Sequence, residues 1–277
     1  EVTASIVATL PGRLEAVAQE RAIRKPTDNM VAYECVLAAK VLHHRSTHED
    51  NESALAMVER AIALDPNYAH AYAWRACILG QTWVHNWCAD RDETWNAIVA
   101  ELDKALSLDE RDSDVHRVLA AVNINRGEHE SAVYHQEKGL ALNPNYDLLV
   151  VQHGELLTWL GRPEEGLEWI KKAMRLNPHH PERFWNHLGR AHFVARSYRE
   201  AIDAFRHISK PDHLHLAFLA ASHAQLGEME AARTYSREVL AKDPLFTVEG
   251  YMATLHYKLP EDADHHREAL LAAGLPA

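Results

Sequence analysis

The stretch WNHLGRAHFVARSYREAIDAFRHISKP, Trp185 to Pro211, decides the fold. Trp185, Leu188, Gly189 and His192 recur at steps of three and four, so they share one face of a first helix. Ala201 and Phe205, four apart, mark a second helix, and Pro211 ends the unit because proline lacks the amide a helix interior needs. One pair of short amphipathic helices buries little, so the unit has to recur.

It does recur. The loops in ALDPNYAHAYAWRA (63–76), ALNPNYDLLVVQHG (141–154), RLNPHHPERFWNHLG (175–189) and AKDPLF (241–246) carry the same Asp-Pro or Asn-Pro punctuation. Pro144, Pro178, Pro211 and Pro244 follow one another at a nearly constant step of about 34 residues. Glu110, in LSLDERDSDVH, occupies the equivalent loop one step before Pro144 without a proline. The second helices carry a small residue at one position, Ala54, Ala132, Gly166 and Ala232, usually five positions after a turn glycine: Gly127, Gly161 or Gly227. The small residue lets antiparallel helices approach, and glycine allows the left-handed turn between them. In ESALAMVERAIAL, Ala54, Met57, Val58, Ala61 and Ile62 fall at helical spacing.

This period and pattern resemble the tetratricopeptide repeat (TPR). That resemblance implies an all-α fold, a right-handed superhelix of about six helical hairpins. Six repeats are expected over 30–246. A lead-in helix and linker are expected over 1–29, with the helix around Ser5 to Ala22 interrupted at Pro11. A polar-faced capping helix is expected over 247–277, where a solenoid has to cover its last apolar face.

Repeat two departs from the period. Pro66 and Glu110 lie about ten positions further apart than the usual step. The surplus falls near GQTWVHNWCADRDETW, Gly80 to Trp95, which holds three of the seven tryptophans. The first helix is expected to run past Gly80, so that Trp83 and Trp87, four apart, share a face. Asp90 or Asp92 is expected to cap the next helix. The tryptophans read as an aromatic plug under an elongated hairpin; the alternative makes Trp83 and Trp87 rim residues of a binding site, since aromatics are frequent interface anchors.

Composition narrows the function. Twenty-nine basic against forty acidic residues give a net charge of −11 with no basic cluster, which disfavours nucleic acid as a partner. Cys35, Cys77 and Cys88 are odd in number and lack CxxC spacing, as expected of a reducing cytoplasm. The apolar runs are too short to span a bilayer. Twenty histidines invite a metal reading, yet His43/His44, His179/His180 and His265/His266 are adjacent and point about 100° apart on a helix. They read as solvated or capping groups. No phosphate-binding loop, dinucleotide fingerprint, nucleophile elbow or HExxH occurs, so neither a catalytic centre nor a cofactor or metal is expected.

Recognition remains. By the register the TPR resemblance implies, the first helices line a concave groove with Gln81 from repeat two, Arg117 and Asn125 from repeat three, Glu155 and Trp159 from repeat four, and Asn186, Arg190 and Phe193 from repeat five. Mixed polar and aromatic groups suit a peptide or partner helix. The clamp by which some TPR proteins capture a C-terminal carboxylate is absent, because Arg117, Ala121, Val151 and Glu155 stand at its positions.

The order EVTASIVATLPGRLEAVAQERAIRKPTDNMVAYECVLAAK, EDNESALAMVERAIALDPNYAHAYAWRA and YKLPEDADHHREALLAAGLP resembles the C-terminal TPR region of bacterial class III adenylate cyclases, over essentially the whole chain. The chain starts at Glu1 without a methionine, as expected of a piece of a longer protein. The resemblance implies a regulatory arm that binds a protein, a peptide or its own upstream domain, with homodimerisation a further expectation. The alternatives are a small-molecule sensor with its ligand near Trp159, Arg190 and Phe193, and a homo-oligomerisation scaffold of a transcriptional regulator.

Overall fold

A computed structural model describes residues 32–277, so the lead-in helix expected over 1–29 lies outside the described residues. The described residues form fourteen helices and no strand. Twelve pair in sequence as hairpins: α1 (Ala32–His43) with α2 (His48–Leu64), α3 (Ala69–Val84) with α4 (Arg91–Leu108), α5 (Ser113–Asn125) with α6 (His129–Leu142). There follow α7 (Asp147–Trp159) with α8 (Pro163–Leu176), α9 (Arg183–Val194) with α10 (Tyr198–Phe205), and α11 (His213–Gln225) with α12 (Met229–Lys242). Two further helices, α13 (Val248–Met252) and α14 (Pro260–Ala272), close the chain.

Each hairpin turns through one left-handed residue. In three turns it is the expected glycine, Gly127, Gly161 or Gly227; in the others it is Ser46, Asn86 or Arg196. The small residues of the second helices work as the pattern implies: Ala54, Ala132 and Ala232 have no exposed surface. At Gly166 an added Cβ would stand 2.6 Å from the carbonyl oxygen of Gly154 on α7, so the two helices meet backbone to backbone. Gly189 on α9 instead leaves room for a side chain, since a Cβ there would stand 2.7 Å from the Phe205 ring.

The surplus of repeat two is spread through its hairpin. Against the third hairpin, whose helices have 13 and 14 residues, α3 has 16 and α4 has 18, and the connection 85–90 is longer than 126–128. Asp90 caps α4, accepting from the amides of Asp92 and Glu93. The shared face expected of Trp83 and Trp87 does not form, because α3 ends at Val84 and Asn86 turns left-handed. Trp83 instead packs 5.1 Å from Trp95 with the Arg91 guanidinium 4.0 Å above its ring, while Trp87 stacks on His85 and meets His48.

The chain divides into two compact units. The first comprises the described residues through Val122 with Tyr134–Leu149 and Leu176–His179. In it α1 packs on α2 and α3, and α3 on α4, over small clusters such as Ala76, Ile98, Leu102, Val118 and Val122. First helices α1 and α3 touch directly, so they share a face.

The second unit comprises Asn123–Val133, Val150–Arg175 and His180–Ala277. Here first helices α9 and α11 touch, and a larger core holds Phe193, Phe205, Phe218, Val239 and Leu270, all at most 1% exposed. A fully buried aromatic side chain contributes about 1.5–3 kcal/mol relative to exposure. Residues 247–277 carry two helices where the sequence leads one to expect a single one, and α14 packs on the first helix α11. The expectation of solvated or capping histidines fails at His43, His116, His223 and His266, which are at most 6% exposed. His215 does cap, completing a capping box with Asp212.

Candidate binding faces

In the first unit the first helices bring a buried ion cluster together. Asp114 on α5, 1% exposed, receives the Trp74 indole N–H at 3.1 Å and the Tyr146 hydroxyl at 3.2 Å. The Lys40 ammonium lies 3.7 Å from the same carboxylate, and Nε of Arg117 pairs with its other oxygen. His70 bridges Asp114 at 3.4 Å and Asp112 at 2.9 Å. The two cations also lie 5.0 Å from the centroid of Trp74. Burial alone would raise the Asp114 pKa, but Arg117, Lys40 and His70 outweigh it and hold the carboxyl well below the usual range.

Of the residues expected to line a groove here, Arg117 is 4% exposed and belongs to this cluster, so its side chain is part of the packing. Gln81 is half-buried and donates to the Ser46 hydroxyl at 3.1 Å.

In the second unit Glu155 on α7 stands 3.2 Å from both His187 and Arg190 of α9. Burial would raise the Glu155 pKa; His187, Arg190 and His256 overcome that and hold it well below the carboxylate range. Arg190 also reaches over the rings of Trp159, at 5.8 Å, and Phe218, at 5.6 Å. The structure thus brings Glu155, Trp159 and Arg190 together. Asn186 is half-buried, and Asn125 is exposed at the end of α5.

Trp159 and Phe193, expected at the surface of a groove, are 2% and 0% exposed. What covers them is the chain itself. Residues 253–259 leave α13 and run against the end of α7: the amide of Lys258 donates to the Trp159 carbonyl at 2.8 Å, and Nε2 of His129 donates to the His256 carbonyl at 3.2 Å. The rings of His256 and Tyr257 meet Trp159 edge-on at 5.7 and 4.9 Å. Leu259 fills the space above Gly161, where an added Cβ would stand 2.2 Å from it. α14 then returns along the first helices, with Asp262 on Arg196 at 2.7 Å, His265 on the Tyr198 hydroxyl at 2.8 Å, and His266 against Phe193 and Phe218.

Sequence reasoning found Arg117 but missed its partners Lys40, Trp74, Asp114 and Tyr146. The available signal was a cation, Lys40, and an indole, Trp74, at equivalent positions of successive first helices. It also missed His187 and His256. Among the described residues, no three His, Cys, Asp or Glu side chains converge as metal ligands, and no helix is long and apolar enough to cross a membrane.

No protein-family model and no curated protein matches the chain. Among solved structures it is similar to the APC/C hetero-tetramer Cut9-Hcn1, with a TM-score of 0.60 and 14% identity over 93% of this chain and 46% of that one. It is also similar to the human IFIT1 dimer with m7Gppp-AAAA, with a TM-score of 0.63 and 15% identity over 96% of this chain and 64% of that one. A third similar structure is PilW, described as a widely conserved type IV pilus biogenesis factor, with a TM-score of 0.53 and 18% identity over 79% and 96%. The chain thus spans less than half the length of the first and less than two thirds of the second. At these identities the likeness concerns the fold, and that fold is the all-α tetratricopeptide-repeat architecture read from the period of the sequence.

Proposed function

We propose that this chain is a protein-interaction module with no catalytic centre of its own, acting in the cytoplasm as the regulatory C-terminal part of a class III adenylate cyclase signalling protein. One observation supports recognition of polypeptide above all: the end of α7, with His129 of α6, already holds a non-helical segment, residues 253–259 of the same chain. Main-chain carbonyls and amides there are matched by His129 and Trp159, and aromatic side chains seat on Trp159, which is how peptide grooves combine affinity with selectivity. The surfaces assigned to the partner, a protein, a peptide or the module's own upstream domain, are those around Gln81 and Arg117 in one unit and Asn125, Glu155, Asn186 and Arg190 in the other.

The cyclase assignment rests on the sequence resemblance. A repeat module alters an attached enzyme only when the partner binds its two states unequally. The test compares cyclic AMP formation and oligomeric state of the polypeptide carrying this chain with those of the same polypeptide lacking residues 30–277. A change in either is expected. Identical activity and an identical number of subunits reject the regulatory reading.

A further inference from the structure

Cys77 lies on α3, on the face that α1 and α3 share, and is enclosed by groups from three hairpins. Its Sγ is 3.6 Å from Nε2 of His43 on α1 and 3.8 and 3.9 Å from the two terminal nitrogens of Arg117 on α5. His43 and Arg117 are each 4% exposed, whereas Cys77 keeps part of its surface open. A partly accessible sulfur beside a guanidinium and an imidazole is the environment in which a thiol gives up its proton readily and becomes a nucleophile.

The state of His43 points past simple packing. Its Nδ1 is buried without a hydrogen-bond partner. Leaving such an atom unsatisfied costs about 1–3 kcal/mol. An N–H at Nδ1 would have no acceptor, so the ring proton belongs on Nε2, where it donates to the sulfur. The other cysteines differ: Cys35 is buried and its thiol is pushed up, chiefly by that burial, while Cys88 is half-exposed in the connection between α3 and α4.

We propose that Cys77 is a reactive thiolate and a modification site for hydroperoxides and small electrophiles. The thiol proton leaves to solvent through the open side of Cys77, and Nε2–H of His43 and the guanidinium of Arg117 hold the resulting thiolate. With hydrogen peroxide the sulfur attacks one oxygen, so an S–O bond forms as the O–O bond breaks. The departing hydroxide takes a proton from solvent and leaves as water. Sulfur is oxidised by two electrons to a sulfenic acid and the peroxide is reduced by two. Because Arg117 also pairs with Asp114, the added oxygen lies against the buried ion cluster, linking the oxidation state of the chain to the packing of its first helices.

The test uses the whole chain. Iodoacetamide alkylation of the three cysteines is followed by peptide mass spectrometry from pH 5.5 to 9.5, with Cys88 as internal reference. Cys77 should titrate at least about one pH unit below Cys88, and dilute hydrogen peroxide with dimedone should label Cys77 first. Arg117→Met should bring the midpoint back toward that of Cys88. If that variant does not fold, His43→Gln serves, and the wild-type profile needs no variant. A Cys77 midpoint at or above that of Cys88, or a Cys77 that stays unlabelled across the range in the folded chain, overturns the proposal.

Discussion

Gly161 and Leu259 fit together as hole and plug: Gly161 turns at a φ of +77°, and a Cβ on it would stand 2.2 Å from Leu259 Cδ1. One glycine thus reverses the chain after α7 and leaves the room that the returning segment fills. Gly161→Ala has both effects against it, left-handed strain and a collision with Leu259. A loss of about 1–3 kcal/mol is expected in urea denaturation, with raised protease sensitivity in residues 253–259. Gly227→Ala, at a φ of +73° with open space around it, should cost only the strain.

Asp114 holds the first unit together through charge. Asp114→Asn removes the carboxylate shared by Lys40, Arg117 and His70, and about 3 kcal/mol of stability should go with it. The urea midpoint reports this if the slope is unchanged. The sign with pH follows from the depressed carboxyl. Its contribution is complete above the unfolded value of about 3.9 and is lost as pH falls below that toward the folded value. Glu155, depressed in the same direction by His187 and Arg190, adds to the loss. Acid unfolding of Asp114→Asn should accordingly be less steep below about pH 4 than that of the parent chain.

His256 provides a separate window. Burial pulls its pKa down to about 4, with Arg190 and His129 adding to burial and Glu155 opposing it. The neutral ring is the one the fold accepts. Its contribution is complete above the unfolded value of about 6.5 and disappears as pH falls from there to about 4. Proteolysis of residues 253–259 should be faster at pH 5 than at pH 7.5, by a protease active at both. His256→Gln should remove part of the difference.

The tryptophans of the long hairpin should separate by role. Trp83, between Trp95 and the Arg91 guanidinium, is expected to cost about 2 kcal/mol when changed to alanine. Trp87, outside α3 against two imidazoles, should cost about 1 kcal/mol or less. Thermal melts of the two variants check this, and equal losses would reject the distinction.

The hairpin repeat was legible because it is local: period, turn glycines and small residues are all written in the sequence within a single repeat. The turns at Ser46 and Arg196 were not, since these residues seldom adopt a left-handed conformation, and Asn86, which adopts it more readily, lies in a lengthened connection; Gly127, Gly161 and Gly227 announce it. Spacing alone puts Trp83 and Trp87 on one face, because it cannot show that α3 stops at Val84. The register places Arg117, Trp159 and Phe193 on the first helices but gives no account of what covers them. For Trp159 and Phe193 the cover comes from residues several helices further on, whose pattern YKLPED carries no sign of where it returns.

Residues 253–259 occupy the end of α7 in the second unit, and amide hydrogen exchange of the intact chain at neutral pH measures that directly. The Lys258 amide, bonded to the Trp159 carbonyl, should exchange far more slowly than an unstructured peptide, and should lose protection in Gly161→Ala. Exchange at the unstructured rate in the parent chain would mean that the segment does not hold the end of α7, and would contradict the account.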